Sequence, residues 1–154
     1  MSAPPFQAFL DEHREAVYRL LVALVGREEA EDCFQETFLA ALKAYPRLRT
    51  GSNLRAWVLT IAHRKAIDAH RARRRRPQPS ASLPDRAAEP SGDAEPEVWR
   101  RVRALPPKQR AAVFLRYVGD LPYREVARIV GSSEAAARQS VRAGLASMRK
   151  EWER

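Results

Sequence analysis

The sequence is poor in the residues that build disulfides, metal sites and membrane spans. Among its 154 residues there are one cysteine, Cys33, three histidines and six glycines. A single cysteine excludes an internal disulfide and any cysteine-rich zinc site, and it is typical of a reducing cytoplasm. The longest apolar run, Leu20 to Val25, is far shorter than the roughly 20 residues of a membrane helix. The N-terminus also lacks the basic and apolar segments of a signal peptide. We therefore expect a cytoplasmic protein without membrane insertion.

Patterns for catalysis and metal binding are equally scarce. His63 and His70 are seven residues apart on one predicted helix. That spacing separates them by roughly 10 Å along the helix axis, too far to share an ion. There is no glycine-rich phosphate loop, and no acidic residue has a histidine or serine partner at a recognisable spacing. We expect no metal, no cofactor and no catalytic site, so the chain is predicted not to be an enzyme.

What the sequence has in excess is positive charge. Lys and Arg number 28 against 19 Asp and Glu, a net charge of +9. Between His63 and Arg76, seven Lys and Arg stand against one Asp. Such an excess favours a polyanionic partner, nucleic acid before a membrane surface. The arginine run at 71–76 has two interpretations, a solvated tail or a strip that contacts nucleic acid. We favour the second, because the run continues a helix with a polar, aromatic-bearing surface.

Apolar residues recur at helical spacing along most of the chain, and no segment alternates as a strand does. Helices are predicted at 6–25, 28–45, 54–74 and 97–105, after Pro106-Pro107, and twice between Leu121 and the C-terminus. Residues 77–96 contain five prolines and no aromatic residue, which predicts a flexible Pro/Ala-rich, acidic linker. The predicted fold class is therefore all-α, with two small helical domains at 1–76 and 97–154 and the linker between them.

The helix predicted at 28–45 carries an acidic face inside a basic protein. That face, called the acidic face below, comprises Glu28, Asp32, Gln35, Glu36, Leu39 and Lys43. An acidic stripe is usually a solvated surface, and one exposed leucine needs no explanation. The same combination would also suit the docking of a basic protein partner. The residues alone leave both interpretations open.

The stretch from Leu121 to Leu145 predicts two helices joined by a tight turn. Gly131 ends the first helix, because glycine tolerates the left-handed conformation of a sharp helix end. Either Ser132 or Ser133 can cap the second helix. The outer face of that helix holds Ala135, Arg138, Gln139, Arg142 and Arg149. This arrangement suits a helix-turn-helix whose second helix enters the DNA major groove, although an ordinary helical hairpin fits the local sequence as well.

The order of these parts resembles the extracytoplasmic-function sigma factors, bacterial initiation factors of two domains. Three blocks carry the resemblance. AEDCFQETFLAALKA (30–44) is similar to the segment of that family that docks on core RNA polymerase. NLRAWVLTIAHRKAIDAHRARRR (53–75) is similar to its −10 recognition helix. ALPPKQRAAVFLRYVGDLPYREVARIVG (104–131) is similar to the entry to its −35 reader. Each block alone is moderately specific, but together, in this order, they cover nearly the whole chain.

The resemblance implies a role for each surface. Core polymerase would be bound by Asp32, Gln35, Glu36 and Leu39. The −10 DNA would be opened and held by the loop at 47–53 and by Asn53, Trp57, His63, Arg64, Ile67, Arg71 and Arg74. The −35 duplex would be read by Ser133, Arg138, Gln139 and Arg142. The implied partners are core RNA polymerase and promoter DNA. An anti-sigma factor is a third candidate, because the family is often held inactive by one.

The chain departs from the family at several positions. Arg64 stands where the family commonly has Asn, the pair Ala136-Ala137 replaces Thr-Val, and Ser140 replaces an Arg. The base preferences therefore do not carry over, and Arg138, Gln139 and Arg142 are expected to carry more of the specificity. A free-standing DNA-binding regulator is the competing hypothesis, but it has no need of the acidic face. An RNA-processing or RNA-modifying enzyme is disfavoured by the missing catalytic residues.

Overall fold

The protein is described by a computed structural model over residues 3–49, 51–75 and 96–153, and every regular element in these ranges is helical. In chain order they are α1 (Phe6–Val25), α2 (Arg27–Ala44), a short 3-10 helix (Tyr45–Arg47), α3 (Leu54–Arg75), α4 (Glu97–Ala104), α5 (Pro107–Tyr117), α6 (Tyr123–Val130) and α7 (Glu134–Trp152). The prediction of an all-α fold with two helical domains and a C-terminal helix-turn-helix is confirmed. The predicted linker lies, except for Pro96, outside the described residues.

The turn between α6 and α7 forms as its sequence predicts. Gly131 ends α6 with φ of +74°, a left-handed conformation that would cost most other residues about 1 kcal/mol. Of the two candidate caps, Ser133 fills the position, since its Oγ accepts a hydrogen bond from the N–H of Ala136 at 3.0 Å. Ala137, in the first turn of α7, is fully buried, and α6 packs against α7. The glycine turn and the serine cap therefore fix where α6 ends and where α7 begins.

The N-terminal domain is built by mutual packing of α1, α2 and α3 around an aromatic cluster. The rings of Phe6, Phe9, Phe38, Tyr45 and Trp57 lie with centroids between 5.1 and 6.3 Å apart in successive contacts. Such tilted and edge-on pairs add to the apolar burial that each ring contributes. The cluster joins the start of α1 to the end of α2 and the first turn of α3, so it fixes where α3 begins.

The two domains also pack against each other, chiefly through α1. This helix contacts α4 and α5 as well as α2 and α3, and α3 contacts α6. The guanidinium of Arg110 in α5 donates a hydrogen bond to the carbonyl of Ala23 at 3.1 Å. Carbonyls in the last turn of a helix lack partners within it, and the helix dipole favours a cation there. Nearby, the Arg19 guanidinium lies 5.9 Å from the ring of Trp99. This contact between domains was not predicted from the sequence.

The contact between domains widens the buried surface of α3. Helical spacing alone predicts a core stripe of Leu54, Trp57, Val58, Ile61, Ala62 and Ala69, and all six are buried or packed against the core. The structure also buries Ala56, Leu59 and Ala66, and Leu59 faces the helix-turn-helix domain. At Gly119, before α6, an added Cβ would lie only 3.1 Å from Cδ1 of Leu59. The buried surface of α3 is therefore wider than a three-helix bundle alone requires.

Two histidines are expected to make folding stability depend on pH. Burial lowers the pKa of His13, Glu12 acts in the opposite direction, and Arg55 lowers this pKa further. Burial, with the charge of Arg64, also lowers the pKa of His63. Because the unfolded chain then binds protons at a higher pH than the folded protein, the stabilisation is present above about pH 6.5 and is lost as pH falls below it. The midpoint of thermal unfolding should fall as the pH is lowered from 7.5 through 6.5 to 5.5. The fall should be less steep in a double variant that carries both His13→Gln and His63→Gln. A midpoint that holds or rises at pH 5.5 would contradict this.

Candidate protein and nucleic-acid interfaces

The acidic face of α2 is fully presented to solvent. All six of its residues are exposed, while Ala30, Cys33, Thr37, Phe38 and Ala41 on the opposite side are buried in the N-terminal domain. Leu39 is 58% exposed, and Leu42, three residues further on, is 50% exposed. Leu42 was not among the predicted docking residues, although its spacing from Leu39 places both on one side of the helix. The surface is therefore an acidic rim beside two neighbouring exposed leucines.

The residues predicted to contact −10 DNA divide into two groups on α3. Arg64, Ile67, Arg71 and Arg74 are exposed and follow one another at spacings of three and four, so they form one stripe along the helix. We call these four residues the basic stripe. It extends for about 15 Å, the rise of ten helical residues. Within the stripe, the apolar side chain of Ile67 lies between the cationic side chains of Arg64 and Arg71.

The other three predicted −10 residues are held by packing or hydrogen bonds. Asn53 precedes α3, and its Oδ1 accepts a hydrogen bond from the N–H of Ala56 at 3.0 Å. Trp57 is half-buried, with its ring 5.7 Å from that of Phe9. His63 is also half-buried, one helical turn after the buried Leu59. Asn53 and Trp57 therefore have structural roles, whatever they contact outside the chain.

The arginine run after the stripe is not uniformly free. Arg73 forms an ion pair with Glu29 of α2 at 3.1 Å, whereas Arg75 is exposed and Arg76 lies outside the described residues. Nε2 of His70 lies 2.8 Å from the carbonyl oxygen of Leu24, near the C-terminus of α1. Arg73 and His70 thus hold the end of α3 against α2 and α1. Arg71 and Arg74 of the basic stripe are exposed to solvent.

The outer face of α7 is exposed as predicted, with Ala135, Arg138, Gln139, Arg142 and Arg149 facing away from the domain. Ser133, predicted to contact −35 DNA, uses its Oγ as the helix cap. On the inner side, an added Cβ on Gly144 would lie 2.8 Å from Cγ2 of Val113 in α5. The absence of a side chain at Gly144 therefore lets α7 pack closely on α5, with the polar face on its opposite side.

Two helical domains, the second ending in a helix-turn-helix with a basic and amide-bearing outer face, define a class of DNA-binding transcription proteins. Residues 9–76 match Sigma-70 region 2, and residues 96–148 match Sigma-70, region 4. The ECF RNA polymerase sigma factor SigC of Mycobacterium tuberculosis is 31% identical to this chain, over 88% of the chain and 76% of SigC. The chain belongs to the extracytoplasmic-function (ECF) RNA polymerase sigma factors.

Further relatives agree with this family. The RNA polymerase sigma factor CarQ of Myxococcus xanthus is 27% identical, over 94% of this chain and 87% of CarQ. Among solved structures, the sigma factor RpoE of Bartonella quintana, in complex with the anti-sigma factor NepR, aligns over 96% of both chains. Its TM-score is 0.83 at 21% sequence identity, which shows a shared fold.

Within residues 3–49, 51–75 and 96–153, no helix is long and apolar enough to cross a membrane. In the same part of the chain, no group of three or more His, Cys, Asp or Glu residues is placed to hold a metal ion.

Proposed function

We propose that this sigma factor docks on core RNA polymerase through the acidic face of α2 and reads two promoter elements, the −10 element with α3 and the −35 element with α7. It acts in the cytoplasm as a promoter-specificity subunit without a catalytic site of its own. The observation that carries the proposal is that the two domains expose separate cationic surfaces, the basic stripe and the outer face of α7. A regulator with one DNA site would need only the second.

The basic stripe suits single-stranded DNA. Bases that have left the stack are bound by cationic side chains along the backbone and by apolar or planar side chains against the base faces. Ile67 supplies apolar surface between Arg64 and Arg71, and a guanidinium can itself stack on a base. The exposed parts of Trp57 and His63, together with Asn53, extend this surface toward the N-terminus of α3.

The outer face of α7 suits duplex DNA. An Arg side chain can form two hydrogen bonds with O6 and N7 of guanine, and a Gln side chain can do the same with N6 and N7 of adenine. Arg138, Gln139 and Arg142 project such donors and acceptors from one exposed face of α7. Ser133, at the N-terminus of that helix, is placed where a phosphate would be favoured by the free N–H groups.

The acidic face suits a basic protein surface. Complementary charge steers association and rejects partners of the wrong sign, while a few well-packed side chains near the centre of an interface carry most of the binding energy. Leu39 and Leu42 offer exposed apolar surface that a partner could bury, with Asp32, Gln35 and Glu36 beside it. An anti-sigma factor is a further proposed partner, supported by the complex in which the related Bartonella sigma factor was solved.

Run-off transcription with purified core polymerase on a library of genomic promoter fragments tests the proposal. We expect transcripts that require both the protein and core polymerase and that start downstream of two shared sequence elements. Binding of the protein to duplex DNA without any core-dependent transcript would instead identify a free-standing regulator. Transcripts that share only one element would contradict the assignment of one of the two DNA surfaces.

The basic stripe should determine part of the salt dependence of promoter binding. Each phosphate contact contributes about 0.7 to 0.9 to the slope of log K against log salt concentration. Arg74→Gln should therefore reduce that slope by roughly this amount when holoenzyme binding to a labelled promoter fragment is measured by anisotropy. Arg14→Gln, which removes one exposed charge from α1, is the matched control. Equal changes in both variants would mean that net charge, and not the stripe, sets the slope.

A further inference from the structure

Tyr123, the first residue of α6, has two guanidinium groups against its ring. Arg116 of α5 lies 4.7 Å from the ring centroid, and Arg138 of α7 lies 5.1 Å from it. Nη1 of Arg116 also donates a hydrogen bond to the carbonyl of Leu121 at 3.0 Å, which fixes that side chain beside the ring. The ring therefore joins three helices of the C-terminal domain, and one of its neighbours is an arginine on the outer face of α7.

Arg138 has a second fixed contact. Its Nη2 donates a hydrogen bond to Oε1 of Glu134, one turn earlier in α7, at 2.9 Å. Its side chain is otherwise 54% exposed. A solvated arginine samples many rotamers, and holding it in place before a ligand arrives removes part of the entropy cost of binding. A planar guanidinium held by a ring and a carboxylate has a defined direction for its remaining N–H groups.

We propose that Tyr123 and Glu134 are positioning residues that orient the Arg138 guanidinium for reading one base pair. The inference rests on the proposed −35 function of α7. Neither positioning residue needs to touch a base. Arg138 has five N–H donors, of which the hydrogen bond to Glu134 uses one, so a pair remains for two acceptors on a base edge.

Because Glu134 is negatively charged, its effect on the orientation of Arg138 can be distinguished from its effect on the general attraction of α7 to DNA. A carboxylate on the DNA-facing end of α7 repels phosphates and lowers affinity for every sequence. It also stabilises the helix N-terminus, and Tyr123 contributes to packing, but both of those roles would change stability without changing which base pair is preferred. A change in sequence preference at one base pair is therefore the effect that only positioning produces.

The test uses the full chain in holoenzyme and a duplex selected from a pool randomised over the −35 region. Affinity is compared between this duplex and versions with one base pair exchanged. Arg138→Ala should lose about 5- to 150-fold in preference at one base pair. Glu134→Gln should bind all the duplexes more tightly but lose about 1.5- to fivefold in preference at that same pair, the range for an exposed ion pair. Tyr123→Leu should lose about two- to fivefold, the range for an exposed cation–π contact, and Tyr123→Phe, which keeps the ring, should retain the preference.

A double-mutant cycle completes the test. In the Arg138→Ala background, Glu134→Gln and Tyr123→Leu should no longer affect that base pair. If both variants keep the full preference while Arg138→Ala loses it, the positioning role is wrong and −35 reading stands. If Arg138→Ala changes all duplexes equally, base reading by Arg138 fails and the inference fails with it. Thermal unfolding checks that Tyr123→Leu folds, and if it does not, Glu134→Gln decides the question alone.

Discussion

Replacing Asp32 and Glu36 together by Arg is expected to abolish binding of core RNA polymerase and to leave the fold intact. Both side chains are exposed on the acidic face, and surface substitutions of this kind usually change stability by no more than about 0.5 kcal/mol. The two substitutions change the charge of the proposed interface by four units, from attraction to repulsion. Like charges placed across an interface cost several kcal/mol, so affinity should fall on the order of a hundredfold or more.

A pull-down with purified core polymerase measures this loss, and α1 offers a matched control. Asp11 and Glu15 are also exposed acidic residues four apart on one helix, so replacing both by Arg changes the same charge at the same spacing. That control should bind core polymerase with nearly the affinity of the unaltered protein. If it loses binding as strongly as the α2 variant, net charge governs the association. If neither variant loses binding, the docking surface lies elsewhere on the molecule.

The elements that the sequence predicted well depend on chemistry within a few residues. The cap at Ser133 and the turn at Gly131 are decided by neighbours three or four positions away. Helical periodicity also separated the exposed face of α2 from its buried face. Such signals do not depend on what the helix packs against, so they hold for any arrangement of the rest of the chain.

The contact between domains does have a signal in the sequence, the apolar run of α1. Leu20 to Val25 are six successive apolar residues, and at 3.6 residues per turn they cover every side of α1. A helix that packs on one side of a small bundle needs only a stripe, whereas a helix that is apolar all round is buried on all sides. All six are buried or half-buried, because α4 and α5 cover what α2 and α3 leave open.

Side-chain partners from different helices could not be predicted. Arg73 pairs with Glu29, and Arg138 lies against Tyr123, but in each pair the relative placement of two helices decides the contact. From the sequence, Arg73 belonged to a uniform run of arginines and Arg138 was one of several outward residues. The composition of the candidate DNA surfaces was therefore predictable, while the orientation of individual arginines within them was not.

The second large effect is expected on stability, from Phe114→Ala in α5. Phe114 is 1% exposed, and its ring centroid lies 6.0 Å from that of Trp99 in α4. Removing a buried aromatic ring costs about 3–5 kcal/mol, a large share of the 5–15 kcal/mol by which a typical protein is stable. Tyr117→Ala, three residues later on the same helix and 59% exposed, is the control and should cost about 0.5 kcal/mol or less. Urea unfolding followed by circular dichroism compares the two.

The loss of stability in Phe114→Ala is expected to affect the N-terminal domain as well. If α5 unfolds, the hydrogen bond from Arg110 to Ala23 is lost and the apolar surface of α1 that α5 covers is exposed to water, at about 25 cal/mol for each Å². Hydrogen exchange should therefore show reduced protection in α1 as well as in α5 and α7, with no such change in Tyr117→Ala. Unchanged protection in α1 would mean that the domains unfold independently. In that outcome, burial of the apolar run would contribute little to the stability of α1, because α2 and α3 would suffice to hold it.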